Sequence, residues 1–159
     1  MRIRVVAVGH RQPAWVDAAF DEYARRMPAE ARLELVALKP EPRPESAGEA
    51  AVERVLEREA RRIAAAIPTG ITRVVLDERG RAVTTRELAS LLEGWLGAGR
   101  DLGMIIGSAD GLHPSVKAGA DVLLSLSALT LPHGLVRVLL AEQLYRAASL
   151  LRGHPYHRD

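Results

Sequence analysis

The chain ends on a compact group of side chains that could do chemistry. Positions 154–158 read His-Pro-Tyr-His-Arg. An imidazole with an ordinary pKa near ~6.5 can take up a proton at neutral pH, so His154 and His157 are candidates for a general base. The alternative is that they only order a lid or bind phosphate. Arg158 could hold a phosphate, and Tyr156 could stack on an unpaired base or simply pack. Because termini usually fray unless held, this tail is predicted to dock into a site in its own subunit or a partner.

Two more polar side chains lie on the apolar segment before the tail. Arg146 could act with the tail by holding a phosphate, or it could form an i,i+4 pair with Glu142 on a helix surface. His133 follows Pro132 at the start of the segment and is expected to fix the neighbouring loop. No pair of histidines at metal spacing lies within a helix, so no metal site is predicted. No nucleophilic serine motif is present either.

The composition predicts a single globular domain over residues 1–159. Hydrophobic residues make up 48% of the chain and charged residues 26%, which excludes a disordered protein. The chain has no cysteine, which excludes disulfides and thiolate metal sites. Its first residues are too charged for a signal peptide, and no apolar run approaches the ~18 residues of a membrane span. We therefore expect a soluble cytoplasmic protein without a membrane partner. A net charge of +2 leaves RNA as a possible partner and nothing stronger.

Strand-like and helix-like segments alternate along the chain, which predicts an α/β fold with a mostly parallel sheet flanked by helices. The predicted strands cover residues 2–8, 32–39, 71–76, 102–106 and 122–126. The predicted helices cover residues 13–27, 47–67, 84 or 85 to about 96, 114–119 and 132–151. Residues 40–48 are rich in proline and predict an exposed loop, and residues 77–81 predict a turn. Thr84 and Glu87 resemble a capping box. Trp15 and Trp95 lie on amphipathic helices and are expected in the core.

The last predicted helix is apolar around its whole circumference. Its few polar positions are Arg137, Glu142, Gln143 and Arg146. A helix that is apolar all round is buried on more than one side. In a chain this small, the second covering surface is predicted to be another subunit, which gives a homodimer built on this helix.

Ligands of parallel α/β sheets bind beyond the carboxyl ends of the strands. Three predicted loops qualify: the one after Leu76, the loop 107–111 and the loop 127–130. The loop 107–111 reads Gly-Ser-Ala-Asp-Gly, which is not the dinucleotide fingerprint, and no Walker A sequence is present. The ligand is therefore expected to be held by backbone groups and apolar walls.

The C-terminal third carries a specific resemblance. Residues 126–138 read Leu-Ser-Ala-Leu-Thr-Leu-Pro-His-Gly-Leu-Val-Arg-Val, residues 141–147 read Ala-Glu-Gln-Leu-Tyr-Arg-Ala, and His-Pro-Tyr-His-Arg follows. With weaker matches at residues 6–9, Trp15 and residues 76–77, the whole chain resembles the ribosomal large subunit pseudouridine methyltransferase H family of the SPOUT superfamily. One departure is the loop 107–111, where such enzymes usually carry Gly-Gly-Pro-Glu-Gly and this chain has Ser108 and Asp110.

The resemblance implies a SPOUT-type sheet with a C-terminal trefoil knot and S-adenosylmethionine as the cofactor. It implies transfer of a methyl group to N3 of a pseudouridine in helix 69 of 23S rRNA, by a homodimer acting on the assembled ribosome and not on DNA. From the chemistry of their side chains, and not from the resemblance, we predict His154, His157 and Arg146 as catalytic residues and Tyr156 and Arg158 as substrate-binding residues. The implied cofactor residues are Leu76, Gly107, Leu126, Ser127, Ala128, Leu129, Thr130 and Leu131. Two alternatives remain open: a module that binds RNA or ribosomes without methyl transfer, and a SPOUT enzyme acting on another RNA such as tRNA.

Overall fold

The structure, a computed structural model, describes residues 1–9, 11–43 and 48–156. Strands and helices alternate as predicted. The strands are β1 (Arg2–Val8), β2 (Arg32–Leu38), β3 (Thr72–Ala82), β4 (Leu102–Ile106) and β5 (Val122–Ser125). The helices are α1 (Ala14–Arg26), α2 (Glu49–Ala66), α3 (Thr85–Ala98), α4 (Pro114–Ala118) and α5 (His133–Leu151).

All five strands join one parallel sheet in the order β2-β1-β4-β3-β5. Every residue of β4 is buried, which is typical of a parallel strand covered on both faces. From β1 the chain leaves toward one edge of the sheet, and from β4 it leaves toward the other. The carboxyl ends of these two neighbours therefore flank the topological switch point, the usual ligand crevice of such sheets.

The sheet separates two hydrophobic clusters. One face packs against α1, α3 and α5, through side chains that include Phe20, Leu92 and Leu144. The other face packs against α2 and the short α4, through Ile63 and Val116. Successive residues along a strand point to opposite faces, so each strand supplies both clusters. The α/β prediction is confirmed as a three-layer arrangement.

Local sequence signals located several element ends correctly. Strands β1 and β4 have the predicted bounds. The capping box at α3 is present, with the Glu87 backbone N–H donating to Thr84 Oγ1 at 3.2 Å and the Thr84 N–H donating to Glu87 Oε2 at 2.7 Å. Helix α2 begins at Glu49, and the predicted start at residue 47 lies outside the described residues.

The predicted end of β3 at Leu76 was wrong, because the strand continues to Ala82. Its ladder with β5 is interrupted between Leu76 and Arg81, both of which pair with Leu124. Residues 77–80 form the interruption, and a Cβ on Gly80 would lie 2.4 Å from the Leu124 carbonyl carbon. Only glycine allows this approach, so the polar, glycine-containing stretch that resembles a turn is a bulge within a longer strand.

Helix α5 lies against the sheet between α1 and α3, so its own subunit covers most of its circumference. Leu135 and Leu139 still expose 37% each. Trp15, expected in the core, is 54% exposed because it lies on the outer side of α1, whose buried residues are Val16 and Phe20. Trp95 packs against the core as expected. Within the described part of the chain, none of the helices is long and apolar enough to cross a bilayer.

Candidate active site

A cleft of about 740 Å³ opens beside the carboxyl ends of β4 and β5 and the interruption in β3. It is formed by three segments: residues 76–79, the strand-four loop (residues 107–111) and the strand-five loop (residues 126–131). All eight residues predicted to hold a ligand line it: Leu76, Gly107, Leu126, Ser127, Ala128, Leu129, Thr130 and Leu131. The sequence therefore identified one continuous cleft, although Leu76 borders a bulge and not a strand end.

The strand-four loop turns tightly. The Gly111 N–H donates to the Ser108 carbonyl at 2.9 Å, which closes a four-residue turn. A Cβ on Gly107 would lie 2.5 Å from the Gly111 carbonyl oxygen and 2.7 Å from Leu112 Cγ, so this position accepts only glycine. Ser108 has an ordinary negative φ, so its Cβ does not strain the loop. Its Oγ is buried and has no hydrogen-bond partner among the described residues.

The strand-five loop is held by serine side chains. Ser127 Oγ accepts the Leu129 N–H at 2.9 Å, and Ser125 Oγ donates to the Ser127 carbonyl at 3.1 Å. These local bonds replace a regular ladder and fix the path of the backbone around the cleft. They leave the Leu129 side chain 76% exposed, so the loop presents an apolar wall.

Two ion pairs border the cleft. The Lys117 ammonium lies 2.5 Å from the Asp77 carboxylate, and Arg43 lies 2.5 Å from Asp110. Burial would raise the pKa of Asp77, but the hydrogen bonds from Lys117 and from the Arg79 N–H outweigh it and lower the pKa below its ordinary value. Asp77 is therefore an ionised acceptor at neutral pH. Asp110 ties the strand-four loop to Arg43 in the proline-rich segment.

Behind the cleft, the first turn of α5 places two basic side chains together. The Arg137 guanidinium is fully buried; its Nη2 donates to the Gly9 carbonyl and lies 3.2 Å from His133 Nε2. Burial, reinforced by the charge of Arg137, lowers the pKa of His133 to about 4 against a hydrogen bond with the Gly107 backbone. His133 is therefore neutral at physiological pH, and its role in fixing the neighbouring loop stays a prediction.

A second polar group, the tail cluster (Glu142, Arg146 and Tyr156), lies farther along α5. Glu142 Oε1 accepts from Arg146 Nε at 2.9 Å and from the Tyr156 hydroxyl at 3.3 Å. The Arg146 guanidinium lies 4.9 Å from the centre of the Tyr156 ring, which also packs edge-on against Tyr145. The hydrogen bonds with Glu142 raise the pKa of Arg146. Burial, with smaller contributions from Tyr23 and Glu142, raises the pKa of Tyr156 to about 12, so this hydroxyl is a donor at neutral pH.

The structure brings some of the predicted catalytic and substrate residues together but not beside the cleft. Arg146 and Tyr156 are in contact, and the exposed His154 accepts the Tyr156 N–H on Nδ1 at 3.3 Å. His157 and Arg158 lie outside the described residues. His133 borders the cleft, and Arg146 follows thirteen residues later, about 20 Å along the same helix at 1.5 Å per residue.

Sequence reasoning missed Arg137, which it treated as one of the polar minority on α5. Its burial is complete, whereas Glu142 and Arg146 are partly exposed. When a helix has apolar residues on every side, its sequence does not show which face points to the core. An arginine that faces inward then looks the same as one that faces outward. The available signal was the spacing to His133, four residues earlier on the same helix face.

A family model described as predicted SPOUT methyltransferase matches residues 1–157. The chain belongs to the SPOUT methyltransferase family.

Curated relatives of this SPOUT chain are close and cover it fully. It is 54% identical over 158 residues, and 99% of both chains, to the ribosomal RNA large subunit methyltransferase H of Burkholderia cenocepacia and, equally, to that of Burkholderia multivorans. Among solved structures it resembles a probable methylase family protein from Haemophilus influenzae, with a TM-score of 0.58, 15% identity and coverage of 99% of this chain and 70% of the other. TrmJ from Z. mobilis gives a TM-score of 0.54 at 16% identity, covering 91% and 69%. At such identities these structures support the SPOUT fold alone.

Proposed function

We propose that the protein is an S-adenosylmethionine-dependent rRNA methyltransferase that modifies N3 of a pseudouridine in helix 69 of 23S rRNA on the assembled ribosome. One observation carries the substrate class: 54% identity across 99% of both chains to proteins named ribosomal RNA large subunit methyltransferase H. The nucleotide, the helix and the ring nitrogen rest on the sequence resemblance. A single domain over residues 1–159, a C-terminal trefoil knot and a cytoplasmic location belong to the same proposal.

The cleft suits an adenosyl ligand. Its volume lies within the roughly 300–1,000 Å³ usual for small-molecule sites. The exposed Leu129 and the neighbouring Leu126 offer apolar surface for an adenine ring, and Asp77 offers an ionised acceptor for ribose hydroxyls. The cofactor would supply a methyl group already activated on a sulfonium, so the protein has to orient the two reactants and manage a proton.

The tail residues are suited to the nucleotide. Arg146 stays positively charged at neutral pH and could bind a phosphate or the carbonyl oxygens of the target base. Its hydrogen bonds to Glu142 fix its orientation. Tyr156 stays protonated and anchors Glu142. Removal of the N3 proton is assigned to His154 or His157. For His154 this requires its Nδ1 to release the Tyr156 N–H, because the other nitrogen of the neutral ring carries the proton.

The distance between cleft and tail cluster is the reason to propose a working homodimer. Leu135, Leu139, Glu142 and Arg146 lie on one face of α5, because steps of four, three and four residues return to nearly the same angle. If two copies pack this face antiparallel about a twofold axis near Leu139, the tail cluster of each copy lies beside the start of α5 in the other. The start of α5 borders the cleft, so each site would combine a cleft from one copy with a tail from its partner.

The activity is tested by incubating the protein with radiolabelled S-adenosylmethionine and assembled ribosomes from a strain lacking the endogenous enzyme. Free large subunits and tRNA are assayed in parallel. The proposal predicts label at the helix 69 pseudouridine on assembled ribosomes only. Label on tRNA would keep the methyltransferase and replace the substrate. Absence of label, together with absence of cofactor binding, would favour a binding module without methyl transfer.

The dimer is tested by mixing two inactive variants, Gly107→Ala with a damaged cleft and Arg146→Met with a damaged tail. If the tail acts on the partner's cleft, random mixing gives half heterodimers with one intact site each, and about a quarter of wild-type activity returns. If the tail acts on its own cleft, the heterodimer has no intact site and no activity returns. Leu139→Glu, at an exposed position, should give monomers in sedimentation analysis and no activity in the same assay.

A further inference from the structure

Arg137 is the largest fully buried side chain in the described part of the protein. It lies on α5, facing the sheet among apolar residues such as Leu140 and Leu144. Its Nε and Nη1 have no hydrogen-bond partner among the described residues. The negative charge of Asp17 favours the guanidinium, but burial outweighs it and lowers the pKa of Arg137. Burying a guanidinium under such conditions is costly, so its presence cannot be explained by a contribution to stability.

The contacts that Arg137 does make converge on one place. Nη2 donates to the Gly9 carbonyl, at the end of β1, and approaches His133 Nε2. His133 lines the cleft together with Gly107, the residue that follows β4, and the Gly107 backbone raises the pKa of the His133 ring as a hydrogen-bonding neighbour would. The backbone is fitted to this arrangement: a Cβ on Gly9 would lie 3.1 Å from His133 Nε2 and 3.3 Å from Arg137 Nη2. The crevice between the ends of β1 and β4 is thus filled by the protein's own side chains.

The hydrogen-bond inventory fixes which ring nitrogen of His133 carries the proton. A guanidinium can only donate, so Nε2 must accept from it. A neutral imidazole then has its single N–H on Nδ1, and that N–H is the group able to donate to the Gly107 carbonyl. Arg137 therefore selects the tautomer that is able to hold the first residue of the strand-four loop.

We propose that Arg137 is a positioning residue: with His133 it forms a clamp from the Gly9 carbonyl to the Gly107 carbonyl that holds the strand-four loop in the conformation that binds the methyl donor. The part of this proposal that names the methyl donor as the ligand rests on the proposed function. The clamp itself, from β1 through α5 to β4, is independent of which ligand occupies the cleft.

The test compares Arg137→Met, which keeps the apolar stem and removes every donor, with Arg137→Lys, which can still donate to Nε2. We expect Arg137→Met to melt no lower than the wild type, because the burial of the charge it removes outweighs the attraction of Asp17. We expect S-adenosylmethionine to bind it at least about tenfold more weakly by calorimetry, and the Lys variant to recover most of that affinity. Arg61→Met, on the exposed side of α2, is the matched control and should change neither quantity.

The tautomer supplies a readout that does not involve any ligand. Nitrogen-15 NMR of the imidazole should show His133 protonated on Nδ1 in the wild type and in Arg137→Lys, and a mixture of tautomers in Arg137→Met. His133→Asn, whose amide can replace Nδ1–H, should bind the cofactor better than His133→Gln, which replaces only the Nε2 position. This pair also tests the clamp if Arg137→Met does not fold.

Two results would overturn the proposal. One is an Nδ1–H tautomer that persists in Arg137→Met. The other is a variant that loses thermal stability while its folded fraction keeps wild-type affinity, which would make Arg137 a purely structural residue. A wild-type protein that binds no S-adenosylmethionine would instead contradict the proposed function, and the NMR result would still decide whether the clamp exists.

Discussion

The two ends of α5 treat their basic residues differently. At the start of the helix, His133 and Arg137 are packed against the sheet, and two guanidinium nitrogens lack partners among the described residues. Nearer its end, Arg146 forms two hydrogen bonds with Glu142 and lies over the Tyr156 ring, with 28% of its side chain exposed.

This difference separates two tasks. The start of α5 is enclosed at Arg137, which suits a group that must hold a loop in place for a ligand. The polar groups of the tail cluster hydrogen-bond to one another, yet the Arg146 side chain is partly exposed to solvent. This arrangement suits a group that contacts a large substrate. Variants at the first end should therefore change cofactor binding, and variants at the second should change turnover.

The largest effect is expected from Gly107→Ala at the cleft. The new Cβ would meet the Gly111 carbonyl oxygen at 2.5 Å, so the strand-four loop must move. We expect cofactor affinity to fall at least about 100-fold, or ~2.7 kcal/mol, measured by calorimetry. Gly94→Ala on α3, where a Cβ meets nothing within 4 Å, is the control. Unchanged affinity in Gly107→Ala would show that this loop does not hold the cofactor.

The next largest effect is expected from Arg146→Met at the tail cluster. Loss of the cation should lower the single-turnover rate on ribosomes about 100-fold, because a charged contact to the nucleotide is lost. Cofactor affinity should stay within about twofold of the wild type. Arg61→Met removes an equivalent i,i+4 pair, with Glu57, from an exposed helix surface and should leave both quantities unchanged. If Arg146→Met lowered both the cofactor affinity and the single-turnover rate, the two ends of α5 would not have separate tasks.

A smaller effect concerns pH and the start of α5. The pKa of His133 is about 4 when folded and near 6.5 when unfolded, so below pH 6.5 the unfolded state binds the extra proton first. Stability from this group is complete above pH 6.5 and is lost as the pH falls toward 4, by up to about 3 kcal/mol. Denaturant unfolding at about pH 7.5 and about pH 4.5 should show a smaller pH dependence for His133→Gln than for the wild type. Carboxylates titrate in both proteins, so the difference between them isolates His133.

The smallest effect is expected from Ser108→Ala. The hydroxyl is buried without a partner in the described structure, and the backbone φ suits any residue. Its removal should raise the free energy of unfolding by up to about 1 kcal/mol and change cofactor affinity less than about threefold. A larger loss of affinity would mean that Ser108 Oγ itself contacts the cofactor, so the loop would bind its ligand differently from loops with glycine here.

The sequence predicted what depends on local signals. The bounds of β4 and the capping box of Thr84 and Glu87 follow from composition over a few residues, and both are confirmed. The three ligand loops followed from the rule for parallel sheets, and their residues line one cleft. These predictions needed no knowledge of which strands pair.

What the sequence missed depends on pairing and on helix phase. The extension of β3 beyond Leu76 is decided by β5, which approaches the chain at Gly80. The burial of Arg137 is decided by how α5 rotates against the sheet, and apolar residues on all its sides left that rotation undetermined. The separation of His154 and Arg146 from the cleft follows from the length of α5 in the folded structure, which a sequence pattern does not relate to the position of the cleft.

Because one uninterrupted helix carries both the His133 clamp and the tail cluster, its length is not free to drift in evolution. A single residue inserted between positions 137 and 142 would turn everything after it by about 100° and shift it by about 1.5 Å. Arg146 would then leave the face it shares with Leu135 and Leu139. We expect homologous genes to accumulate insertions and deletions in the proline-rich segment after β2 and almost none within α5. The number of residues between His133 and Arg146 should therefore be constant.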